Sequence, residues 1–404
     1  MFARTSRIVL PPLIMVVVLI AFRVAVGLVA REDFVAVRNE PWTIAPRYDR
    51  PRVVTDQQLF AVLDRVKPPA GPLSTNKLIH ALRLWGADAR FDDQEIPSGA
   101  AMRDYFLNDG QFRRRAGSDA PPLFTTTPRG IQVRAWEQDQ PHRATASQHM
   151  DDLLATMAEI GTPLDTPLIT RHGATTVGAL MQTAMRQYHL DRDEYEWSLI
   201  SYARYMFPVR QWKNEYGQSI GVNALVEELI DHPLTRGKCN GIHRLEAMVV
   251  LYRADEQAQA LSPRLRRRML AHMAGISALL TAAQSEEGYW TRRWPRGTAS
   301  RDDTSASLVD RLLVTGHHLE WLALAPPQVQ PPRETVVRAA QWLVRAMLEI
   351  DEATLQRRYG PLSHAARALC LWRSQDPYQA WKKGRAGMVN EVSMTNEEAR
   401  MKNQ

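Results

Sequence analysis

Apolar residues are distributed in two ways along this chain, as one continuous run near the N-terminus and as helical repeats after it. Residues 8–30 are apolar except for Arg23, and a run of this length can cross a bilayer as a helix. Arg4 and Arg7 precede the run, as in an uncleaved signal-anchor. The pattern predicts a cytoplasmic N-terminus at residues 1–7, a single-pass transmembrane signal-anchor at 8–30, and the bulk of the chain outside the cytoplasm. Arginines also follow the run, so charge alone leaves the sidedness open.

Helical periodicity dominates residues 74–376, which we predict to form one domain. Leu265, Met269, Met273 and Ile276, for example, recur at the spacing of one helix face. Similar patterns predict helices at residues 145–160, 173–188, 192–206, 220–231, 240–254, 262–284, 304–325, 333–350 and 361–374.

The segments on either side of this domain lack such a pattern. Residues 31–73 are rich in proline and arginine, and we predict a juxtamembrane tether with one short helix near Asp56–Val66. Residues 377–404 are mostly polar, which predicts a flexible tail. Inside the domain, two short β-prone runs in Pro121–Trp136 flank a Pro-Arg-Gly turn and predict a small β-ribbon.

Composition and charge change this picture little. Hydrophobic residues make up 45% of the chain, enough for a substantial core, and 51 Lys and Arg against 44 Asp and Glu give a net charge of +7. The positive excess is spread along the chain and no nucleic-acid-binding motif is recognisable, so we expect no nucleic-acid partner. Cys239 and Cys370 are the only cysteines. Their predicted helical positions indicate free, buried thiols.

A short phrase recurs at the start of several predicted helices. It reads Gly-Ile-His-Arg-Leu-Glu at 241–246, Gly-His-His-Leu-Glu-Trp at 316–321 and Gly-Pro-Leu-Ser-His at 360–364, with a shorter relative at 71–74. Degenerate repeats of this kind indicate helix pairs stacked around a shared axis. Such a ring would place the N-termini of its inner helices, with their histidines, around one central pocket.

A second pattern carries a resemblance to a known superfamily. Gln284, Gly288 and Trp290 follow one predicted helix, and their order resembles the repeat of terpenoid cyclases and protein prenyltransferases; Gln341-Trp342 resembles part of the same repeat. There the glycine permits a turn that the glutamine and tryptophan pin through hydrogen bonding and aromatic packing. The resemblance implies an all-α fold, an α/α toroid built from a ring of helix hairpins, behind the transmembrane helix.

Residues 300–304 partly resemble the acid motif of class II terpenoid cyclases, Asp-x-Asp-Asp-Thr. Asp302 matches the residue that protonates an alkene or epoxide in that family, but Ser300 replaces the first aspartate. The structural alternative is that Asp303 or Thr304 caps the helix that begins here.

The phrase at Gly316 also resembles the Gly-His-x-x-Glu-Trp phrase of N-acylglucosamine and cellobiose epimerases, which are rings of helix pairs as well. The resemblance implies that His317 transfers protons and that Glu320 orients it or binds sugar hydroxyls. His364 or His243 would then supply the second histidine across the pocket.

Metal binding is a third possibility for the same histidines. Cys239 and His243 are four residues apart, so they can face the same way on a helix. Prenyltransferases bind zinc through Asp, Cys and His on a comparable rim, and lanthipeptide cyclases use Cys and His in a related ring. His318, His364 and Asp302 are candidates for the further ligands that zinc needs. The structural alternative is that these histidines only hydrogen-bond neighbouring loops.

Two classes of function therefore remain open. In the first, the ring is a non-catalytic scaffold that binds an envelope polymer, a lipid-like ligand or a protein partner. In the second, it is an enzyme that acts on an isoprenoid or a carbohydrate through His243, His317, His318, Glu320 and His364. Because rings of helix pairs host unrelated chemistries, fold resemblance alone does not choose between them.

Overall fold

The computed structural model describes residues 37–388, apart from residues 72, 129, 137–141, 191, 193 and 235–237. It is 58% helical with few short strands, which confirms the predicted all-α class. The predicted transmembrane segment, residues 8–30, lies outside the described residues. Among the helices that are described, none combines the length and apolar character needed to cross a membrane.

The helices alternate with turns and short hairpins along the chain. They are α1 Asp56–Arg65, α2 Thr75–Trp85, α3 Gly99–Leu107, α4 Asp109–Ala116, α5 Asp152–Glu159, α6 Val177–Gln187, α7 Glu196–Tyr205, α8 Val222–Asp231, α9 Ile242–Ala258, α10 Pro263–Ala283, α11 Leu308–Leu324, α12 Arg333–Glu349, α13 Glu352–Arg357 and α14 Tyr359–Trp372. The strands are β1 Phe124–Thr127, β2 Gly130–Val133, β3 Pro167–Thr170, β4 Gly173–Thr176, β5 Gln211–Lys213 and β6 Ser219–Gly221, paired as three antiparallel hairpins. The helices predicted from periodicity are present, most of them shorter than expected.

Six helices, which we call the central helices, pack against one another in a closed order. Helix α2 contacts α5, α5 contacts α7, α7 contacts α9, α9 contacts α11, α11 contacts α14, and α14 contacts α2 again. These helices are largely buried, and α9 has thirteen buried residues among its seventeen. Further helices cover them from outside, with α3 on α2, α10 on α9 and α12 on α11. The central helices therefore surround a common interior.

The N-terminal segment, residues 37–54, is part of the folded body rather than the tether predicted for residues 31–73. Its backbone N–H groups donate to carbonyls at the C-terminal ends of central helices: Arg38 to Tyr205 at 2.7 Å and Arg50 to Trp372 at 2.9 Å. Val53 and Val54 are fully buried. The last carbonyls of a helix have no partner within the helix, so this segment satisfies them. The short helix predicted next to it is confirmed as α1.

The C-terminal region also departs from the prediction. Residues 377–388, expected to begin a flexible tail, are helical. Trp381 in this helix is buried, packs edge-on against Trp85 and donates its Nε1–H to Asp64 at 2.9 Å. One buried tryptophan thus anchors a stretch whose other residues are mostly polar. Residues 389–404 lie outside the described part of the chain.

The predicted β-ribbon is confirmed as β1–β2, with Phe124 opposite Val133. The hairpins β3–β4 and β5–β6 were not predicted, and β4 was taken as the start of a helix. Their strands have only three or four residues, too few for alternation to be recognised.

The turn after α10 has the contacts that the Gln-Gly-Trp pattern implied. Gln284 donates from Nε2 to the carbonyls of Gly288 and Thr335, both at 2.8 Å, and Trp290 donates to the Leu280 carbonyl at 2.9 Å. Gly288 has φ +112°, a region that side chains disfavour, and a Cβ there would lie 2.5 Å from the Arg338 carbonyl oxygen. Glycine is thus required on two independent grounds.

We predict that Gly288→Ala lowers the free energy of unfolding by about 2 kcal/mol or more, because it combines backbone strain with a clash. Urea denaturation of the purified protein measures this. Gly275→Ala is the matched control, since Gly275 lies within helix α10 and a Cβ there would have no neighbouring atom within 4 Å. It should be neutral or stabilising by up to about 1 kcal/mol. Equal effects of the two substitutions would contradict the role assigned to Gly288.

Candidate functional site

A cavity of about 80 Å³ lies among the central helices. Its most polar wall residues are His80, Arg83, Gln148, His149, Asp152, Thr156, Cys239, His243, His317 and His364, and Ile79, Trp197, Leu313 and Pro361 complete the lining. The cavity thus brings together three of the sequence-predicted histidines, His243, His317 and His364, with two that the sequence analysis missed, His80 and His149.

Cys239 and His243 enter the cavity from a tight turn that leads into α9. Cys239 lies in the 3₁₀ turn Lys238–Gly241 and has φ +52°, a left-handed conformation that is uncommon for a residue with a side chain. Gly241 also has a positive φ, at +73°, and His243 is the second residue of the helix. Backbone strain of this kind persists where surrounding contacts enforce it, often at functional sites.

Glu320 holds two of the cavity histidines at once. His317 Nδ1 lies 2.9 Å from Glu320 Oε2, and His364 Nδ1 lies 2.9 Å from the same oxygen. Glu320 is fully buried. Burial opposes ionisation of Glu320, but His364 and Arg367 outweigh it and hold the pKa of the carboxyl well below its usual range. A buried carboxylate therefore fixes both imidazoles by their Nδ1 atoms.

The close approach of α11 and α14 makes this arrangement possible. Gly316 was expected at the start of a helix, but it lies in the middle of α11. A Cβ at Gly316 would stand 3.0 Å from Cα of Ala365 on α14. The glycine thus lets the two helices approach closely beside His317 and His364.

Two sets of donor atoms lie close enough together to hold a metal ion. Cys239, His243 and His317 form one, and His317, Glu320 and His364 form the other, with the ligand atoms of each set within 4.8 Å of one another. Glu320 in the second set already accepts hydrogen bonds from both imidazoles and from Arg367. In the first set, His317 Nε2 is buried, and Cys239 lies beside the ring while Glu320 engages Nδ1. The first set is therefore the better candidate metal centre.

The electrostatics of His317 favour a positive charge at this point. Burial by itself would lower the pKa of His317. Cys239 and Glu320 raise the pKa by more than burial lowers it, so that it reaches about 10. In contrast, burial holds the pKa of His243 well below its ordinary value. The pocket thus accommodates one positive charge between a cysteine sulfur and a carboxylate.

Directly behind the cavity lies a buried cluster of six charges, one from each central helix. Its members are Arg83 of α2, Glu159 of α5, Arg204 of α7, Glu246 of α9, Glu320 of α11 and Arg367 of α14. Arg367 reaches Glu159, Glu246 and Glu320 at 3.1, 3.2 and 2.9 Å. Three arginines and three glutamates balance one another. We call this set the ion cluster.

Cavity and ion cluster are linked by a repeated spacing that the sequence analysis overlooked. His80 precedes Arg83, His243 precedes Glu246, His317 precedes Glu320 and His364 precedes Arg367, each by three residues. Residues three apart lie on one helix face, so the histidine borders the cavity and the charge joins the cluster. The recurring His-x-x-Arg or His-x-x-Glu phrase is the signal that could have revealed His80 and the cluster.

His149 belongs to the site through a different contact. It precedes α5, and its Nδ1 lies 2.8 Å from Glu194 Oε2, while its ring meets His243 edge-on with centroids 5.2 Å apart. His149 and Glu194 both lie in loops, so no helical spacing in the sequence predicts that they belong to the site.

Two sequence-predicted residues lie elsewhere. His318 is fully buried, accepts the Trp321 Nε1–H at 3.1 Å and packs edge-on against Trp294, so it belongs to the core outside the cavity. Asp302 is exposed and does not line the cavity. The predicted cap at Asp303 or Thr304 is wrong, since Ser307 caps α11 by accepting the Asp310 N–H. Asp303 instead accepts the backbone N–H of Ser305.

Both cysteines are free, as expected. Cys370 is buried in α14, and burial raises the pKa of its thiol. Cys239 is only partly buried and faces the cavity, which differs from the predicted buried state.

Comparison with protein-family models, with curated proteins and with solved structures finds no match to this chain.

We predict that Glu320→Gln lowers the free energy of unfolding by about 3–5 kcal/mol, because it leaves buried positive charge without its partner. Urea denaturation at neutral pH measures the loss. Glu334→Gln, an exposed substitution in the first turn of α12, should stay within about 0.5 kcal/mol of wild type. A loss at Glu320 no greater than that of the control would contradict a central role of the carboxylate.

Acid should destabilise the protein in part through His80. Burial lowers the pKa of His80 to about 4, whereas an unfolded histidine has a pKa of about 6.5. As the pH falls through that range the unfolded chain takes up a proton that the folded chain does not, so the free energy of unfolding falls, by at most about 3 kcal/mol. Urea midpoints between neutral pH and mild acid should therefore fall less steeply in His80→Gln than in wild type. Identical slopes would contradict a His80 that stays neutral in the folded protein.

Proposed function

We propose that this chain is a membrane-anchored α/α-toroid enzyme whose central cavity binds zinc through Cys239, His243 and His317 and acts on a polar substrate. The closed packing order of the six central helices supports the toroid architecture. The apolar run at residues 8–30 supports the anchor, with the folded body outside the cytoplasm. The observation that carries the proposal is the donor set itself, with its ligand atoms within 4.8 Å of one another.

The residues of this donor set fit a zinc ion in kind as well as in position. Thiolate and imidazole are the ligands that zinc prefers. The Nε2 of His317 becomes available to the ion when the ion displaces its proton, because Glu320 engages Nδ1 on the other side of the ring. A carboxylate behind a ligating histidine is the usual way in which proteins fix such a ring. Held by these three residues, a zinc ion would supply Lewis-acid activation of a substrate or water oxygen at its remaining coordination position.

The chain's own residues supply orientation and proton acceptors around that position. Glu320 fixes His317 and His364 together, and Glu194 fixes His149. Both His149 and His364 line the cavity, where an imidazole within reach of a substrate can accept or return a proton. Trp197 forms part of one wall. This set of groups suits hydrolysis or isomerisation of a polar molecule.

The same features weigh against the other candidate functions. An isoprenoid chain needs a long apolar pocket, whereas this cavity is small and rich in imidazole. A pure scaffold has no need of strained Cys239 or of five histidines around an internal cavity. Buried polar groups carry a free-energy cost, so their concentration in one cavity favours an enzyme.

Metal analysis tests the proposal directly. Full-length protein purified without chelator should contain about one zinc per chain. Cys239→Ala should lose most of it, because three protein ligands are needed for tight binding, while Cys370→Ala should keep it. Both variants remove a thiol, so a difference in their zinc content reports where the thiol lies and not merely that a thiol was lost. Zinc-free wild-type protein, or equal loss in both variants, would contradict the metal centre.

A further inference from the structure

Residues 37–54, which we call the strap, cross the C-terminal ends of three central helices. Backbone N–H groups of the strap donate to the carbonyls of Tyr205 in α7 at 2.7 Å, Ala323 in α11 at 3.3 Å and Trp372 in α14 at 2.9 Å. Tyr205 and Trp372 are the last residues of their helices, and Ala323 is the last but one. We call this end of the central helices, together with the strap, the strap face.

The cavity lies on the opposite side of the ion cluster from the strap face. On α14, His364 lines the cavity, Arg367 belongs to the ion cluster and Trp372 meets the strap. The same order of cavity, cluster and strap is found on the other two helices, with Trp197, Arg204 and Tyr205 on α7 and His317, Glu320 and Ala323 on α11. At 1.5 Å per residue, the cavity residues of these helices lie about 9–12 Å from the strap face.

A second cavity supports this order. It has a volume of about 400 Å³, and its wall includes Thr43 of the strap together with Arg83, Glu159 and Arg367 of the ion cluster. Arg83 also lines the first cavity. The ion cluster therefore separates the two cavities, and a molecule could pass between them only by breaking buried ion pairs, which is costly.

The connection between the strap face and the predicted anchor is short. The apolar run ends at Ala30, so six residues, 31–36, separate it from the strap. Even a fully extended chain of this length covers at most about 25 Å, roughly half the width of about 50 Å expected for a body of this size. Because Arg38 bonds the end of the central helix α7, the chain enters the body within the strap face and not among the outer helices. The strap face is therefore the part of the body nearest to the anchor.

The first residues of the strap suit the surface of a bilayer. Arg38 is exposed, and its guanidinium lies 3.8 Å from the centre of the Trp42 ring. Trp42 is only partly buried and donates its Nε1–H to the Phe207 carbonyl at 3.3 Å. Tryptophan and arginine close to an apolar run are typical of the boundary between membrane and water.

We infer that the strap face is turned towards the bilayer, so that the cavity lies on the far side of the ion cluster and is reached from the aqueous compartment. This rests on the proposed function, which supplies the anchor and the role of the cavity. The strap and the ion cluster block an approach from the membrane side. The substrate is therefore a water-soluble molecule and not a lipid within the bilayer.

Energy transfer from the protein to labelled lipids tests this orientation. A fluorescent amino acid replaces Arg52 in one variant and Arg358 in another, and both arginines are exposed. Arg52 follows the strap residue that bonds the C-terminal end of α14 by two positions, whereas Arg358 directly precedes the N-terminal end of the same helix. The 14 residues of α14 separate the two ends by about 21 Å. The full-length protein is placed in nanodiscs of equal parts phosphatidylcholine and phosphatidylglycerol that carry an acceptor dye on their headgroups.

Transfer should be severalfold more efficient from position 52 than from position 358, because only the strap face is close to the bilayer. Melting temperatures equal to that of wild type verify that both variants are folded. Equal transfer from the two positions, or stronger transfer from position 358, would overturn the inference.

The outcome is separable from the other parts of the proposed function. Protein that does not enter the nanodiscs would refute the anchor, and the orientation with it. Zinc-free protein with strong transfer from position 52 would refute the metal centre and leave the orientation intact. Zinc-containing protein with stronger transfer from position 358 would do the reverse.

Discussion

The ion cluster is the interaction on which the rest of this structure depends. Each of the six central helices contributes one buried charge, and Arg367 alone joins glutamates from three other helices. Removing one member of such a buried set leaves uncompensated charge at a cost of several kcal/mol. The cluster therefore specifies how the helices are rotated and aligned, more than it adds net stability. Any helix that slipped by one residue would withdraw its charge from the centre.

That alignment also sets the geometry of the cavity, because the two are built on the same helix faces. The His-x-x-charge spacing places His80, His243, His317 and His364 one turn before their cluster residues. Glu320 belongs to both, since it pairs with Arg367 and fixes His317 and His364 by their Nδ1 atoms. The same carboxylate therefore belongs to the ion cluster and sets the orientation of the His317 and His364 rings. The orientation of the proposed metal ligand His317 is a consequence of one buried carboxylate and its neighbours.

The sequence predicted the parts of the fold that follow from local pattern. Periodicity located the helices, and the Gln284-Gly288-Trp290 pattern anticipated a turn whose hydrogen bonds are present. Prediction from local pattern failed where contacts between distant parts of the chain determine the structure. Residues 37–54 look like a proline-rich tether but satisfy helix C-termini, and one buried tryptophan, Trp381, anchors a helix within an otherwise polar stretch. At the site, His243, His317 and His364 were found through their repeated phrase, and Cys239 was found through its spacing from His243. His149 and Glu194 come from loops and meet only in three dimensions, while the toroid and the transmembrane anchor stay proposals.

The central claim is that Cys239, His243 and His317 bind one zinc ion, and its first coordination shell is the most direct test. X-ray absorption at the zinc edge of the full-length protein should show one sulfur at about 2.3 Å together with nitrogen or oxygen ligands at about 2.0–2.1 Å. This one-sulfur shell is the signature of Cys239, because it is the only cysteine that lines the cavity. A shell containing only nitrogen and oxygen would place the ion elsewhere, and would contradict the roles assigned to the strained cysteine and the oriented histidines.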